Sequence, residues 1–270
     1  MSRVVLITGA AGGLGGKIAL AFARKGYIVA GTDQEKKAGE LAALAESLQA
    51  AGAGGTLMKT GDITASAFVD ELVAAAAAQF GTIHVLVNNA GINHDGYLLK
   101  VTPAQIEEQL RVNLLAPILM MRAAGLLWKS QRPLTEDRAI VNISSVNGTG
   151  RDQEGQVLYC VTKGGLVVAT RVTAKEYALF FGKPVVAVNA VAPGYLDTGM
   201  AAAMKPEVLE PRIASVPLSE AVPGDEIAEA VLMFGEGKFP HCIGTCLTVD
   251  GGLHLGERPQ QIGGGPKRQA

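Results

Sequence analysis

Apolar strands and helical segments alternate along the whole chain, and this alternation constrains the fold more than any other feature. Short β-branched runs at residues 4–7 and 139–143 are separated by segments with helical spacing, such as Leu41, Leu44 and Leu48. Apart from Asn142, the residues of these two runs are apolar, so both faces of each strand are expected to be buried. The pattern predicts an α/β fold in which a doubly wound parallel sheet is covered by helices on both faces.

The domain organisation is predicted to be simple. No repeat, linker or change in composition divides residues 1–256, which we expect to form one domain. Residues 257–270 are polar and rich in glycine, proline and glutamine, which predicts a flexible C-terminal tail.

Charge and composition argue against several classes of partner. The net charge is -1 and only 5% of residues are aromatic, so neither a nucleic acid nor a membrane surface is expected as a partner. The most apolar stretch, residues 112–128, is interrupted by Asn113, Pro117 and Arg122, which favours a buried helix over a membrane span.

The N-terminus lacks a secretory signal pattern, and three cysteines are too few for a disulfide framework. The four histidines do not cluster at metal-ligand spacing, so no metal site is predicted. We therefore expect a cytoplasmic protein.

A glycine-rich turn at residues 8–15 joins the first strand to the first helix. Gly9, Gly13 and Gly15 would let the backbone and the helix N-terminus approach a pyrophosphate. Asp33 ends the second strand, where it could accept hydrogen bonds from ribose hydroxyls. A tight turn and an ordinary turn aspartate are the structural alternatives, but the strand–turn–helix context favours a Rossmann-type dinucleotide site.

The order Thr8-Gly9-x-x-x-Gly13-x-Gly15 resembles the cofactor turn of the short-chain dehydrogenase/reductase family. Further motifs of that family follow in the expected order over residues 3–256. They are Asn88-Asn89-Ala90-Gly91, Asn113, Ser144-Ser145, Tyr159-x-x-x-Lys163, Ala192-Pro193-Gly194 and Val249-Asp250-Gly251-Gly252.

The resemblance implies four catalytic residues. Tyr159 would exchange a proton with the substrate oxygen, and Ser145 would polarise that oxygen. Lys163 lies four residues after Tyr159 on the same predicted helix face, so its ammonium is expected to lower the pKa of the tyrosine. Asn113 would hold a water in a proton relay.

Two of these assignments also rest on local chemistry. Ser144 and Ser145 are adjacent, and the family pattern favours Ser145 as the active serine. Pro117 has no N–H, so the Asn113 carbonyl is expected to lack its helical partner and to bind water. The alternative is that Pro117 only kinks the helix.

The resemblance also implies a set of residues that bind the dinucleotide. NAD is predicted to be preferred over NADP, because Asp33 would repel a 2′-phosphate and Gly12 stands where NADP-preferring relatives often carry arginine. The proposed contacts are Gly9, Ala11, Gly13, Leu14, Gly15, Asp33, Asp62, Ile63, Asn89, Ala90, Tyr159, Lys163, Pro193, Leu196 and Thr198.

Several functions remain open within and outside the family. The stretch Gly91-Ile92-Asn93-His94-Asp95 favours a reductase resembling 3-oxoacyl-[acyl-carrier-protein] reductases, acting on a small carbonyl or alcohol substrate below a lid at about residues 195–220. A polyol, sugar, steroid or other secondary-alcohol dehydrogenase is the alternative, and a non-catalytic dinucleotide sensor is the alternative from another class. The family also implies a homotetramer.

Overall fold

The computed structural model describes residues 2–199 and 204–256. In these residues seven parallel strands form one sheet, in the order β3-β2-β1-β4-β5-β6-β7. The strands are β1 (Val4–Thr8), β2 (Ile28–Asp33), β3 (Gly55–Thr60), β4 (Val85–Asn88), β5 (Arg138–Ile143), β6 (Val186–Pro193) and β7 (Cys246–Val249).

Helices connect successive strands and cover both faces of the sheet. They are α1 (Gly13–Ala23), α2 (Ala38–Ala50), α3 (Ser66–Phe80), α4 (Pro103–Leu110), α5 (Ala116–Ser130), α6 (Val157–Phe181), α7 (Pro206–Ala214) and α8 (Gly224–Gly235), with a π-helical turn at Arg111–Leu115. The predicted α/β, Rossmann-type doubly wound sheet is confirmed.

The core is divided by the sheet into two layers because successive side chains of a strand point to opposite faces. Val5 and Ile7 of β1 pack in the layer formed with α1, α2 and α8, whereas Leu6 packs in the layer of α3, α5 and α6. All three side chains are fully buried. The apolar run at residues 4–7 therefore contributes to two cores at once.

Strands β1, β2 and β3 follow one another toward one edge of the sheet, whereas β4 pairs with the other side of β1 and leads to the opposite edge. The strand order therefore reverses direction between β1 and β4. In open parallel sheets, ligands bind beyond the carboxyl ends of the strands at such a switch point. The loops that follow β1, β2, β4, β5 and β6 meet at this edge.

Some predicted boundaries are wrong for local reasons. The first helix begins at Gly13, inside the glycine-rich turn, so Gly13 and Gly15 are already helical residues. The helix after Pro103 is interrupted by the π-helical turn, where Ala116 N–H donates to the Arg111 carbonyl. Pro117 follows directly and supplies no N–H to the helical ladder. The hydrogen bond of the Asn113 carbonyl, and a water on it, remain predictions.

Two helical segments, Pro103–Ser130 and Val157–Phe181, are long and apolar enough by length and composition to cross a membrane. Each packs an inner face on the sheet, through Trp128 and Met120 in one and through Ala174 and Phe181 in the other. The buried helix predicted for residues 112–128 is thus a sheet-covering helix.

Candidate active site

A cleft of about 640 Å³ lies at the switch point, beyond the carboxyl ends of the strands. It is lined by most of the residues that the sequence singled out. These are Gly9, Gly13, Leu14, Gly15, Asp33, Asp62, Ile63, Asn89, Ala90, Ser145, Tyr159, Lys163, Pro193, Leu196 and Thr198.

The glycine turn at one end of the cleft has no room for side chains at two of its positions. Gly9 has φ +65°, and a Cβ there would lie 2.9 Å from Ala90 Cα. A Cβ on Gly15 would lie 2.8 Å from Asn89 Nδ2 and would strike the Gly9 carbonyl. Asn89 fixes the turn by donating from Nδ2 to the Thr8 and Gly9 carbonyls, each at 3.0 Å.

The N-terminus of α1 opens onto the cleft without a side-chain cap and with no acidic residue in its first turn. Uncapped N–H groups at a helix N-terminus favour an anionic group such as a pyrophosphate. The bare glycine backbone and the open helix end therefore fit a dinucleotide.

Asp33 and Asp62 lie at the end of the cleft where the second and third strands finish. Asp33 Oδ2 accepts the N–H of Ala11 at 3.1 Å, and Oδ1 accepts the N–H of Gln34 at 2.9 Å. Ala11 itself does not line the cleft but orients Asp33. Asp62 accepts the N–H and hydroxyl of Thr64, at 2.8 and 3.0 Å.

The two serines after β5 face different partners. Ser144 Oγ donates to the Lys163 carbonyl at 2.9 Å, which ties it to α6. Ser145 Oγ accepts the N–H of Asn147 at 3.2 Å, and its hydroxyl acts on Tyr159, whose pKa it lowers. The structure therefore brings Ser145, and not Ser144, together with Tyr159.

The electrostatics of Tyr159 and Lys163 differ from the prediction. Burial raises the pKa of Tyr159 to about 12, and only the hydrogen bond from Ser145 opposes this shift appreciably, while Asp95 adds to it. Burial lowers the pKa of Lys163 to about 8. Lys163 Nζ donates to the Ile143 carbonyl at 2.7 Å and lies 5.7 Å from the centre of the Tyr159 ring. The expected lowering of the tyrosine pKa by Lys163 is wrong for this geometry, because desolvation dominates both groups.

Asn113 lies behind the cleft and does not line it. Its side chain is fully buried and pairs with the backbone of Ile92, accepting its N–H and donating to its carbonyl, both at 2.8 Å. Gly91 separates it from the lysine, since a Cβ there would lie 3.4 Å from both Asn113 Oδ1 and Lys163 Nζ. The glycine leaves the space between these two polar atoms open.

The structure adds residues that the sequence analysis did not select. Asn147 and Gln156 line the cleft beside Ser145, and Asp95 contacts Gln156. Asn147 lies two residues after Ser145 and Gln156 lies three residues before Tyr159, and this proximity in sequence was the available signal for these two residues. Met200, part of the predicted lid, and residues 257–270 lie outside the described residues. No group of three or more metal-ligating side chains is found in the described part of the chain.

Comparison with known proteins places these motifs in a family. The model of a family described as enoyl-(acyl carrier protein) reductase matches residues 9–254. The 3-oxoacyl-[acyl-carrier-protein] reductase FabG of Staphylococcus aureus is 31% identical over 94% of this chain and 99% of its own. The acetoacetyl-CoA reductase of Rhizobium meliloti is 33% identical over 94% of this chain and 100% of its own.

Solved structures agree with this assignment. Levodione reductase superposes with a TM-score of 0.85 at 28% identity, covering 94% of this chain and 98% of that one. A short-chain dehydrogenase/reductase from Burkholderia xenovorans gives 0.84 at 33% identity, covering 94% and 96%. The chain belongs to the short-chain dehydrogenase/reductase family and is an oxidoreductase that interconverts carbonyl and alcohol groups with a nicotinamide dinucleotide.

Proposed function

We propose that this chain is a 3-oxoacyl-thioester reductase that uses NADH and acts through Ser145, Tyr159, Lys163 and Asn113. The observation that carries the proposal is that Ser145, Tyr159 and Lys163 line the same cleft as the bare glycine turn. The FabG protein and the acetoacetyl-CoA reductase described above act, by their names, on 3-oxoacyl and acetoacetyl thioesters, which favours this substrate class.

The chemistry of the site suits reduction. A bound dinucleotide would supply the hydride to the carbonyl carbon, while Tyr159 gives its proton to the carbonyl oxygen. The raised pKa of Tyr159 keeps the phenol protonated at neutral pH, as a proton donor requires. Ser145 Oγ accepts the Asn147 N–H, and its single hydrogen, which is directed at Tyr159 in the free enzyme, would turn to the substrate oxygen when substrate is bound.

The proton that Tyr159 gives up would be restored along Lys163 and Asn113. The lysine pKa of about 8 allows it to pass a proton at neutral to mildly basic pH. Lys163 Nζ and Asn113 Oδ1 both approach Gly91, and a water bridging these two atoms would complete the relay.

A substrate panel followed by nicotinamide absorbance tests the proposed function. It should contain 3-oxoacyl thioesters, cyclic ketones, polyols and steroid alcohols, each with NADH and with NADPH. We expect the highest kcat/KM for a 3-oxoacyl thioester. A higher value for a polyol, sugar or steroid would favour the alternative dehydrogenase, and binding of dinucleotide without turnover of any compound would favour a sensor.

The preference for NAD over NADP is expected to depend on Asp33. Its carboxylate lines the cleft, and the ammonium of Lys37, which also lines the cleft, pairs with Glu40 at 2.7 Å. Asp33→Ala should shift the ratio of kcat/KM for NADH over NADPH toward NADPH by about tenfold or more, since a like-charge repulsion is removed.

Asp33→Asn is the matched control, because it removes the charge and keeps the shape. It should shift the preference in the same direction as Asp33→Ala. If the unmodified enzyme already has a higher kcat/KM with NADPH, Asp33 does not select NAD.

We also propose a cytoplasmic homotetramer built through the helices that carry Asn113 and Tyr159. Their outer faces expose large apolar side chains, which monomeric proteins rarely group on one surface. These are Leu115, Ile118, Leu126, Val157, Val161, Val168, Val172, Leu179 and Phe180. Light scattering at micromolar concentration should give four times the chain mass, and a monomer mass would contradict the proposal.

A further inference from the structure

Asn147 connects the active-site serine to its surroundings through three hydrogen bonds. Its backbone N–H donates to Ser145 Oγ at 3.2 Å. Its side-chain Nδ2 donates one hydrogen to Gln153 Oε1 at 3.1 Å and the other to Gln156 Oε1. The side chain is buried, with 6% of its surface exposed, and it lines the cleft.

Gln156 links Asn147 to the loop after β4. It directly precedes α6 and lies three residues before Tyr159, so its bond to Asn147 joins the serine loop to the first turn of the tyrosine helix. Gln156 Nε2 donates to Asp95 Oδ1 at 2.8 Å. A carboxylate can only accept hydrogen bonds. Asp95 therefore requires Gln156 to turn its NH₂ group away from Asn147 and its oxygen toward it.

Gln153 links Asn147 to a cation on the other side. Arg151 Nη1 donates to Gln153 Oε1 at 3.0 Å and to the Tyr195 hydroxyl at 3.0 Å. A guanidinium can only donate hydrogen bonds. Arg151 therefore holds the oxygen, and not the NH₂ group, of Gln153 at the position that faces Asn147.

The two charged ends thus impose the same orientation on the amide between them. Both glutamines offer oxygens to Asn147, so it must present both hydrogens of its NH₂ group. Its Oδ1 then faces Arg151 Nη1, at 3.5 Å. This orientation follows from the chemistry of Asp95 and Arg151, not from the shape of the amide, whose nitrogen and oxygen are nearly isosteric.

We propose that Asn147 is a positioning residue for Ser145, held in one orientation by a hydrogen-bond chain that runs from Asp95 to Arg151. The chain fixes the loop that carries Ser145 against the helix that carries Tyr159, and so sets the spacing of these two hydroxyls. The inference rests on the proposed function for the roles of Ser145 and Tyr159. In this inference the amides of Asn147, Gln156 and Gln153 form one unit, and Asp95 and Arg151 decide which atoms of these amides donate and which accept.

Asn147→Asp tests this polarity, because the substitution keeps the shape and turns two donors into an acceptor. The new carboxylate would face two amide oxygens that cannot rotate freely. We expect kcat to fall about a hundredfold, whereas Asn147→Ala, which only removes the contacts, should cost about tenfold. The Kd of the dinucleotide should stay unchanged for both, since the glycine turn is remote from Asn147. A merely structural role would lower dinucleotide binding and the thermal midpoint along with kcat.

A second substitution should restore what Asn147→Asp removes. Asp95→Asn supplies a donor at position 95, so Gln156 can rotate, accept there and donate its NH₂ group to the carboxylate at position 147. The double variant Asn147→Asp/Asp95→Asn should recover at least about tenfold in kcat, although Asp95→Asn alone lowers it.

Asp152→Asn is the matched control for this rescue. Asp152 lies in the same loop, is exposed, and makes no hydrogen bond or ion pair within residues 2–199 and 204–256. Combined with Asn147→Asp it makes the same change of net charge and should rescue nothing. Equal rescue by Asp152→Asn, or equal losses from Asn147→Asp and Asn147→Ala, would overturn the proposal.

A readout without turnover separates this inference from the proposed function. In protein labelled with ¹⁵N-glutamine, the Gln156 side-chain amide resonances should shift in Asn147→Asp and move again when Asp95→Asn is added. They should be insensitive to Asp152→Asn. Unchanged Gln156 resonances would overturn the hydrogen-bond chain even in an active enzyme. Absence of turnover in the unmodified protein would contradict the proposed function and leave the resonances as the test of the chain.

Discussion

Tyr159→Phe is expected to lower kcat at least about a thousandfold and to leave the dinucleotide Kd within about twofold. The substitution removes only the hydroxyl that lines the cleft with Ser145 and that we propose as the proton donor. The ring still fills its place beside Lys163. Steady-state turnover and fluorescence titration with NADH measure the two quantities separately.

Tyr177→Phe is the matched control, since it makes the same chemical change on the same helix. The Tyr177 hydroxyl donates to the Met121 carbonyl at 2.8 Å, away from the cleft. This variant should lose about 1 kcal/mol of unfolding free energy and keep its turnover. Retention of more than a few per cent of turnover by Tyr159→Phe would remove Tyr159 from the proposed mechanism.

Gly15→Ala is expected to weaken dinucleotide binding at least about a hundredfold, which equals about 2.7 kcal/mol. The added Cβ would lie 2.8 Å from Asn89 Nδ2 and 2.9 Å from the Gly9 carbonyl carbon. Both atoms belong to the backbone turn or to the side chain that fixes it, so the turn itself must move. Calorimetric titration with NADH measures the loss.

Gly16→Ala, at the next position of the same helix, separates this effect from helix propensity. A Cβ on Gly16 would meet only the Ala10 carbonyl and Leu44, at 3.8 and 3.9 Å, which are ordinary contacts. The variant should bind NADH normally and gain up to about 1 kcal/mol of stability, because alanine favours a helix interior over glycine. Equal binding losses in both variants would show that Gly15 has no special role.

Much of the fold could be predicted because its determinants are local in sequence. Apolar runs such as residues 4–7 define strands, and the glycines from Gly9 to Gly15 define the first crossover and the end of the sheet where ligands bind. The spacing of Tyr159 and Lys163 predicted that both lie on one face of a helix, and both side chains line the cleft. Adjacent serines could be assigned only through the family pattern, and the structure supports that choice by tying Ser144 to α6.

The features that could not be predicted depend on partners distant in sequence. Asp95 and Arg151 are 56 positions apart by their numbering, and nothing in either local pattern indicates that Gln156 and Asn147 connect them. The pKa of Tyr159 was predicted to be lowered but is raised. The sequence spacing shows that Lys163 is a neighbouring charge, but it does not show that both groups are buried. The π-helical turn before Pro117 is likewise a tertiary outcome.

The residue after Asn147 also makes this asparagine a candidate for deamidation, which would limit how long the enzyme stays chemically intact. Asparagine is among the thermally labile residues, and glycine after it offers no side chain to hinder attack of its backbone nitrogen on the amide. The attack would expel ammonia and close a succinimide ring, and water would then open the ring to leave an acid at position 147, the change that reverses its hydrogen bonding. In the fold, the Gly148 N–H is engaged with the Val146 carbonyl at 2.9 Å, which protects the amide.

The vulnerable dipeptide cannot easily be replaced. A Cβ on Gly148 would lie 2.6 Å from Gly164 N and 2.9 Å from the Lys163 carbonyl carbon, so the close approach of this loop to α6 requires glycine. The hydrogen-bond chain requires asparagine before it. We therefore expect Asn147-Gly148 to deamidate only when the loop opens, and the damage would then fall on the residue that we propose to orient the active-site serine.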